Sequence, residues 1–146
     1  MKFGLKRKIR IVTRLDKDTS GVVVFAKNEY VQEALTLQMK ENNFKKEYIG
    51  ILEGIPEPKS GVIEAPIARK EGSIIERCVS QDGQMSITHY DVVKSFDNMS
   101  LVLFVLETGR THQIRVHSKH IGHPIVRRYT VWLCFFSNSE TSIACL

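Results

Sequence analysis

The sequence of 146 residues has no long hydrophobic run and only three cysteines. No stretch approaches the roughly 18 consecutive apolar residues of a membrane span, and the N-terminus lacks the apolar core of a signal peptide. These absences predict a cytoplasmic protein that does not insert into a membrane. Cys78, Cys134 and Cys145 are an odd number without metal-ligand spacing, which favours free thiols in a reducing compartment.

Metal-binding patterns are also missing. The histidines His112, His117, His120 and His123 lie close together in the sequence, and two of them have the spacing of one helix face. No cysteine or paired carboxylate accompanies them, whereas zinc sites usually combine histidine with such ligands. We therefore expect no bound metal.

The composition that remains is that of one soluble domain with excess positive charge. Hydrophobic residues make up 42% of the chain and charged residues 25%, so the chain can bury a core. The formal net charge of +5 and the sequence pI near 9.2 favour a polyanionic partner. Five of the first ten residues are basic, but such a run is more typical of a solvated arm than of a specific site.

Hydrophobic periodicity predicts an α+β fold, a mainly antiparallel mixed sheet with a few flanking helices. Apolar residues recur at near-helical spacing over residues 29–41, and a second, amphipathic helix is expected to begin near residue 111. Alternating stretches between turn sequences predict strands, and the last two form a hairpin. The predicted strands are residues 21–26, 45–53, 62–65, 86–93 and 100–106, and residues 74–79 are expected to form either a weak strand or an irregular segment.

The run Arg14-Leu15-Asp16-Lys17-Asp18-Thr19-Ser20-Gly21 is the most informative stretch of the chain. It sets a carboxylate between a cation and a turn-forming Thr-Ser-Gly, directly before an apolar strand. A nucleophilic or acid–base aspartate needs such a setting, with a guanidinium close enough to keep it ionised. Taken alone, the run is also typical of an ordinary aspartate-rich turn, and two other segments decide between these interpretations.

The second segment is Glu107-Thr108-Gly109-Arg110-Thr111-His112-Gln113-Ile114-Arg115-Val116-His117, and the third, Lys46-Glu47-Tyr48, lies between the first two. In this order the segments resemble the motifs of the pseudouridine synthases that modify large-subunit ribosomal RNA and some transfer RNAs. The catalytic motif of that family reads R-L-D-x-x-T-S-G, and a strand carries K-x-Y. The resemblance covers roughly residues 9–126 and implies a catalytic domain on a largely antiparallel sheet with a central cleft.

The resemblance implies isomerisation of uridine to pseudouridine, which needs no redox step and no cofactor. It needs one carboxylate beside the sugar, acting as a nucleophile or as a base in a glycal-type route. Asp16 takes this role by its place in the motif, and Asp18 is a rival that we treat as a turn residue. Tyr48 is expected to stack on the uracil and assist proton movement at carbon 5. Arg115 is expected to pair with the catalytic carboxylate.

RNA recognition is the second implication, because a base stacked in a duplex must be flipped out or taken from a loop to reach a protein carboxylate. The residues expected to contact substrate or RNA are Arg14, Thr19, Lys46, Arg110 and His112. Further cations are expected to line the approach through phosphate contacts, namely Lys45, Arg69, Lys70 and the basic N-terminal arm. Thr111 is expected to cap the second helix.

The ends of the chain depart from the family pattern. We expect residues 1–126 to form a partial catalytic domain, truncated at its N-terminus, and residues 127–146 to be a tail foreign to the family. After Val126 the family would continue with a sequence such as G-D-x-L-Y-G. The codons AGG AGA TAC ACT GTA TGG CTA TGC, which are permitted for residues 127–134, read Gly-Asp-Thr-Leu-Tyr-Gly-Tyr one base later. We therefore hypothesise that the tail is a frameshift product.

Two other functions are compatible with the sequence. A catalytically inactive RNA-binding fragment of such an enzyme would keep the basic cleft but could not close it. A carboxylate-dependent glycosidase would use Asp16 with Glu107 or Asp18, but the sequence offers no aromatic platform for a sugar. The leading hypothesis is an RNA pseudouridine synthase without metal or cofactor, whose oligomeric state the sequence does not indicate.

Overall fold

A computed structural model of the chain describes residues 8–16, 19–41, 44–126, 135–138 and 141–143. The described residues form ten strands and two helices. In chain order these are β1 (Arg10–Ile11), β2 (Phe25–Ala26), α1 (Glu29–Lys40), β3 (Lys45–Glu53), β4 (Ser60–Glu64), β5 (Ile67–Arg69), β6 (Arg77–Val79), β7 (Ile87–Ser95), β8 (Met99–Leu106), α2 (Gln113–His120), β9 (Phe135–Asn138) and β10 (Thr141–Ile143).

The largest sheet contains six antiparallel strands in the order β10-β9-β3-β8-β7-β4. Its central strand β8 alternates strictly, so that Ser100, Val102, Phe104 and Leu106 are buried on one face. Together with Leu52 of β3 they contribute to the core beneath α2. The structure confirms the predicted α+β class, and the core makes β3 and β8 the rigid base on which the loops at their ends are placed.

Some predicted elements agree with the observed ones, and others differ. The predicted strand over residues 45–53 coincides with β3, and the predicted hairpin is formed by β7 and β8. The predicted strand over residues 21–26 is reduced to β2, which pairs with β1 inside the expected basic arm. Ile74 and Ile75 are exposed. The strand near them is β6, which forms a separate two-stranded ribbon with β5.

The first helix, α1, begins at a side-chain cap and lies on the outside of the molecule. Asn28 accepts a hydrogen bond from the amide of Val31 at 2.9 Å, which satisfies one of the free donors of the first turn. Arg10 of β1 donates to the carboxylate of Glu29 at 3.0 Å. No residue of α1 is buried, so α1 and the β1–β2 pair form an outer layer around the segment that carries Asp16.

The second helix, α2, is mostly buried. Its buried residues are Gln113, Ile114, Val116, His117 and Ser118. The expected cap by Thr111 is wrong, because the N-cap is His112 and its side chain makes no capping hydrogen bond. The Arg110 amide at this turn donates instead to the Gln113 side chain. Neither described helix is long and apolar enough to cross a membrane.

The second edge of β3 is covered by the C-terminal part of the chain. At one end β9 pairs with residues 45–47, and β10 pairs with β9. At the other end Leu52 and Ile125 form an isolated bridge, flanked by hydrogen bonds from Glu53 to Pro124 and from Val126 to Ile51. Residues 127–134, which carry the hypothesised change of reading frame, lie outside the described residues.

Candidate active site

One cavity of about 250 Å³ lies between the outer layer, the start of β3 and the N-terminal end of α2. Its walls come from the segment of residues 12–16, from β3, and from the loop and first turn of residues 109–115. All eight residues that the sequence analysis placed in the site line this cavity, namely Arg14, Asp16, Thr19, Lys46, Tyr48, Arg110, His112 and Arg115. Three segments distant in sequence therefore converge on one space.

The Asp16 segment is held by hydrogen bonds to the chain that follows it. Val12 donates its amide to the Val24 carbonyl at 2.9 Å, and the Val24 amide donates to the Thr13 hydroxyl at 2.9 Å. The Thr19 amide donates to the Asp16 carbonyl at 3.0 Å, which closes a turn at the motif. Asp16 is therefore presented from a backbone loop braced against residue 24, with its side chain 26% exposed.

Strand β3 supplies the opposite wall. Lys46 and Tyr48 are two residues apart and therefore point to the same face of the sheet. They pair with Leu106 and Phe104 of β8, so both side chains project from paired strands within the largest sheet. The Lys46 ammonium donates to the Glu107 carbonyl at 3.4 Å, which places this cation at the start of the loop that carries Arg110.

Among the described residues, His112 is the one basic group within 4.0 Å of the Asp16 carboxylate. The His112 Nε2 atom lies 3.9 Å from Oδ2 of Asp16, which is an ion pair when the ring is protonated. The expected ion pair of Asp16 with Arg115 is not formed among the described residues, where no Arg115 nitrogen lies within 4.0 Å of the carboxylate. His112 precedes the first turn of α2 whereas Arg115 lies within it, so the imidazole reaches the loop that the guanidinium does not.

His112 also adopts a left-handed backbone conformation, with φ 57° and ψ 24°. A residue with a β-carbon rarely occupies this region, at a cost of about 1–3 kcal/mol, and such residues are concentrated at functional sites. The conformation persists because the flanking chain is fixed on both sides. On one side lies the loop that contains Arg110, and on the other lies the buried first turn of α2.

Gln113 fixes that loop through a buried side-chain network. It is 2% exposed, and its Oε1 atom accepts hydrogen bonds from the Thr108 hydroxyl and the Arg110 amide, each at 2.9 Å. Its Nε2 atom donates to the Ile87 carbonyl and to the Thr88 hydroxyl, also at 2.9 Å. One amide side chain thus joins the Arg110 loop to strand β7 with all four of its hydrogen-bonding positions used.

His117 completes this network and determines the direction of its hydrogen bonds. Its Nε2 atom lies 3.1 Å from the Ala65 carbonyl, which can only accept, so Nε2 carries a proton. Burial lowers the pKa of His117, opposed by the Ala65 hydrogen bond and aided by the charge of His120. In the neutral ring Nδ1 accepts from the Thr88 hydroxyl at 2.9 Å, which leaves the Thr88 oxygen to accept from Gln113.

The sequence analysis missed these supporting residues. Gln113 and His117 lie inside the recognised motif, but neither was assigned a role there, and Thr88 lies within an ordinary alternating strand. A buried polar residue on the inward face of a strand is the available signal, because such a group requires partners. Which partners it has depends on the packing of α2 against β7, and the sequence does not encode that contact locally.

The described residues give little support to the glycosidase alternative and place no group of metal ligands together. Glu107 does not line the cavity; its carboxylate lies 2.6 Å from Nε2 of His89. Asp18 lies outside the described residues. Among the residues with described positions, no group of three or more His, Cys, Asp or Glu side chains could hold a metal ion. Cys78 is a free thiol, and the other two cysteines lie outside the described residues.

Comparison with known proteins agrees with this geometry. The family model described as RNA pseudouridylate synthase matches residues 1–120. The chain belongs to this family of enzymes, whose members modify RNA by isomerisation.

Individual relatives support the same assignment. The uncharacterised RNA pseudouridine synthase YjbO of Bacillus subtilis is 43% identical over 122 residues, covering 84% of this chain and 43% of that protein. Ribosomal large subunit pseudouridine synthase D of Nitrosomonas europaea is 44% identical over 115 residues, covering 79% of this chain and 33% of the relative. The chain thus spans less than half of the length of these relatives.

Solved structures show the same fold. Human RNA pseudouridylate synthase domain containing 1 superposes with a TM-score of 0.77 at 23% identity, over 94% of this chain and 68% of that one. Human RNA pseudouridylate synthase domain containing 4 gives a TM-score of 0.67 at 29% identity, over 80% of this chain and 49% of that one.

Proposed function

We propose that this chain isomerises uridine to pseudouridine in structured RNA, with Asp16 as the catalytic carboxylate. The observation that carries the proposal is the convergence of the Asp16 loop, Tyr48 and the His112–Arg115 turn on one cavity. A carboxylate, a phenol and several cations in one cleft suit a reaction in which an anionic nucleic acid presents one base. We further propose a ribosomal or transfer RNA substrate and a cytoplasmic site of action.

The reaction breaks one bond, forms another and leaves the atomic composition unchanged. The bond from N1 of uracil to C1′ of ribose breaks, the base turns, and a bond from C5 to C1′ forms. The proton on C5 is then lost to a base, and N1 takes up a proton. The Asp16 carboxylate either attacks C1′, giving an ester whose bond to C1′ breaks when C5 attacks, or removes the C2′ proton to give a glycal and returns that proton to C2′ as the bond from C5 to C1′ forms. Both routes require the ionised form of Asp16.

The remaining groups orient the base and move its proton. Tyr48 projects from the rigid strand β3, where its ring can stack on the detached uracil and its hydroxyl can assist proton transfer at C5. Arg115 lines the same cavity, and we propose that substrate binding brings its guanidinium to the carboxylate. Thr19 donates its amide to the Asp16 carbonyl, and we propose that its side chain holds the sugar or its phosphate.

RNA binding follows from the cations at the mouth of the cavity. Arg14 and Arg110 are exposed, which suits contacts to phosphates that position the RNA without reading its sequence. His112 lies beside the carboxylate, and we propose that it contacts the ribose of the extruded nucleotide. A cavity of about 250 Å³ admits one base but no duplex, so the target uridine must leave its stack.

The test is the release of tritium from RNA labelled at C5 of uridine, measured with wild type and with Asp16→Asn. We expect the substitution to reduce turnover by about 10²- to 10⁴-fold or more, because the amide cannot serve as nucleophile or base. Asp97→Asn is the matched control: it removes one exposed carboxylate from the turn between β7 and β8 and should leave turnover unchanged.

The same assay separates the alternative, a catalytically inactive RNA-binding fragment. Binding of RNA by the wild type without any tritium release would support it and would contradict the proposed activity. Full activity in Asp16→Asn would instead remove Asp16 from the mechanism.

A further inference from the structure

A second groove adjoins the active-site cavity on the side of the β5–β6 ribbon. It has a volume of about 480 Å³ and shares Gly109, Arg110 and Thr111 with the cavity as a common wall. On its other side it is lined by Arg69 and Arg77 of the ribbon. A strand of RNA whose target base enters the cavity must leave along the surface, and this groove begins at the cavity wall.

The ribbon aims two arginines at the groove. Arg69 and Arg77 are opposite each other in the β5–β6 register, and opposite residues of an antiparallel pair share one face with β-carbons about 4.5–5.5 Å apart. Ile67 and Val79 lie on the same face, two residues further along each strand, and they are packed towards the core. The same face of the ribbon is therefore apolar where it packs against the core and positively charged where it lines the groove.

These arginines are not neutralised by the described part of the chain. No carboxylate lies within 4.0 Å of the guanidinium of Arg69, Arg77 or Arg110 among the described residues, and Arg77 donates only to the Glu76 carbonyl at 3.4 Å. Asp82 is the single acidic residue in the lining. Like charges directly opposite on two strands destabilise the pair, so the arrangement is costly unless an anion binds between them.

The neighbouring Lys70 differs from these arginines because its charge is paired with a carboxylate. Lys70, which the sequence placed on the same RNA approach, lies 2.6 Å from the carboxylate of Glu76, and this contact raises the pKa of Lys70 and lowers that of Glu76. Lys70 therefore belongs to an exposed pair on the ribbon and does not line the groove. It provides a substitution with the same change in net charge at almost the same place.

The floor of the groove holds strand β5 at a fixed distance from the segment that contains Gly83. Gly83 lies so close to β5 that a β-carbon there would lie 2.6 Å from the carbonyl carbon of Ile67. Two hydrogen bonds of 2.9 Å between Ile67 and Gln84 hold this approach. The ribbon is thus attached to the body of the protein at the groove, and Arg69 and Arg77 extend from a held base.

We propose that this groove binds the phosphate backbone of the RNA strand beside the target nucleotide, with Arg69 and Arg77 as the phosphate-binding pair. The inference rests on the proposed function, since it assigns a path to the same RNA substrate. The contacts position the strand and raise its affinity, while the chemistry remains in the cavity.

The experiment measures binding of a fluorescein-labelled RNA hairpin with an all-uridine loop, from about 50 to about 200 mM salt. The chains compared are the wild type, Arg69→Gln, Arg77→Gln and Lys70→Gln, with thermal unfolding measured for each. We expect each arginine substitution to reduce the slope of log affinity against log salt by about 0.7–0.9, because one phosphate contact is lost. Lys70→Gln should leave the slope unchanged. In the tritium assay, the arginine variants should show a raised KM at unchanged kcat.

Arg69 is exposed, so Arg69→Gln carries the test if Arg77→Gln does not fold, and Arg77→Lys should keep the wild-type slope. Equal effects of all three glutamine substitutions would show a general charge effect and overturn the groove. If the wild type releases tritium and the arginine variants have the same slope as the wild type, the proposed role of the groove is overturned and the proposed function stands. Tritium release absent from the wild type, with the slopes reduced as expected, would overturn the activity alone.

Discussion

At the scale of single residues, His117 shows how a buried titratable group supports a site without touching substrate. Its ring is 0% exposed and hydrogen-bonded on both nitrogens. Protonation would place a donor on Nδ1, where Thr88 already directs its hydroxyl proton. The pKa of His117 is accordingly lowered from 6.5, chiefly by burial. The neutral ring is the form in which every hydrogen bond of the network has one donor and one acceptor.

This lowered pKa gives a pH dependence of stability with a definite sign. Because the folded pKa lies below the unfolded value of 6.5, the unfolded state binds more protons as the pH falls below 6.5. The free energy of unfolding should therefore be largest above pH 6.5 and decrease below it. We expect the urea midpoint of the wild type to fall between about pH 7.5 and about pH 5.5.

The control for this titration is His117→Gln, whose amide can still donate to Ala65 and accept from Thr88 but does not titrate. Its urea midpoint should fall less over the same pH range. An equal decline in both proteins would assign the pH dependence to other groups.

At the scale of elements, the junction between strand β7 and helix α2 decides where the Arg110 loop lies. Thr88 of β7 is fully buried and links Gln113 to His117. Thr88→Val keeps the shape of the side chain but removes the hydroxyl, so that two buried polar groups lose a partner. We expect a loss of about 1–3 kcal/mol of stability for each group left unsatisfied, measured by urea unfolding.

The same substitution should also lower kcat/KM in the tritium assay, because a displacement of the Arg110 loop by about 1 Å can cost about 10²-fold in rate. Thr88→Ser restores the hydroxyl and should restore most of the activity. Ser100→Ala is the matched control. It removes another buried hydroxyl, which donates to the Gly54 carbonyl at 2.8 Å, away from the cavity. Equal losses of kcat/KM in Thr88→Val and Ser100→Ala, measured below both melting temperatures, would show that the network stabilises the fold but does not position the Arg110 loop for the reaction.

The elements that the sequence predicted well are those with strong internal periodicity. Strand β3 was predicted with its observed bounds, and α1 was predicted one residue too long. The errors lie where pairing partners decide the structure. Residues 21–24 look like a strand, yet only the last two residues of the apolar run form β2, because β1 is just two residues long. At Ile74 and Ile75, whose side chains are exposed, the irregular segment is formed and not the alternative, a weak strand.

At the scale of the whole molecule, the tail of residues 127–146 lies outside the family match, although part of it pairs with the largest sheet. The family match ends at residue 120, and β9 nevertheless pairs with residues 45–47 of β3. Backbone pairing of this kind requires an available strand edge and depends only weakly on the sequence of the added strand. The pairing is therefore compatible with a tail of any origin.

The frameshift hypothesis for residues 127–146 is tested by the coding sequence. We expect the codons for residues 127–134 to read Gly-Asp-Thr-Leu-Tyr-Gly-Tyr, or a close variant, when the frame is moved by one base. The measurement is resequencing of the gene across this region. Codons that give no family motif in either alternative frame would contradict the hypothesis and leave the tail as a genuine part of this protein.

The sequence by itself determined the family, the α+β class and eight of the residues that line the cavity. Motif residues are recognisable without coordinates because the chemistry restricts which side chains can occupy them. Only the tertiary structure decided which groups meet: among the described residues His112 Nε2, and no nitrogen of Arg115, lies within 4.0 Å of the Asp16 carboxylate. In the same described part of the chain, Lys70 is paired with Glu76 while Arg69 and Arg77 have no carboxylate partner. Such contacts depend on distances of a few ångströms between segments far apart in the chain, and no local pattern of residues encodes these distances.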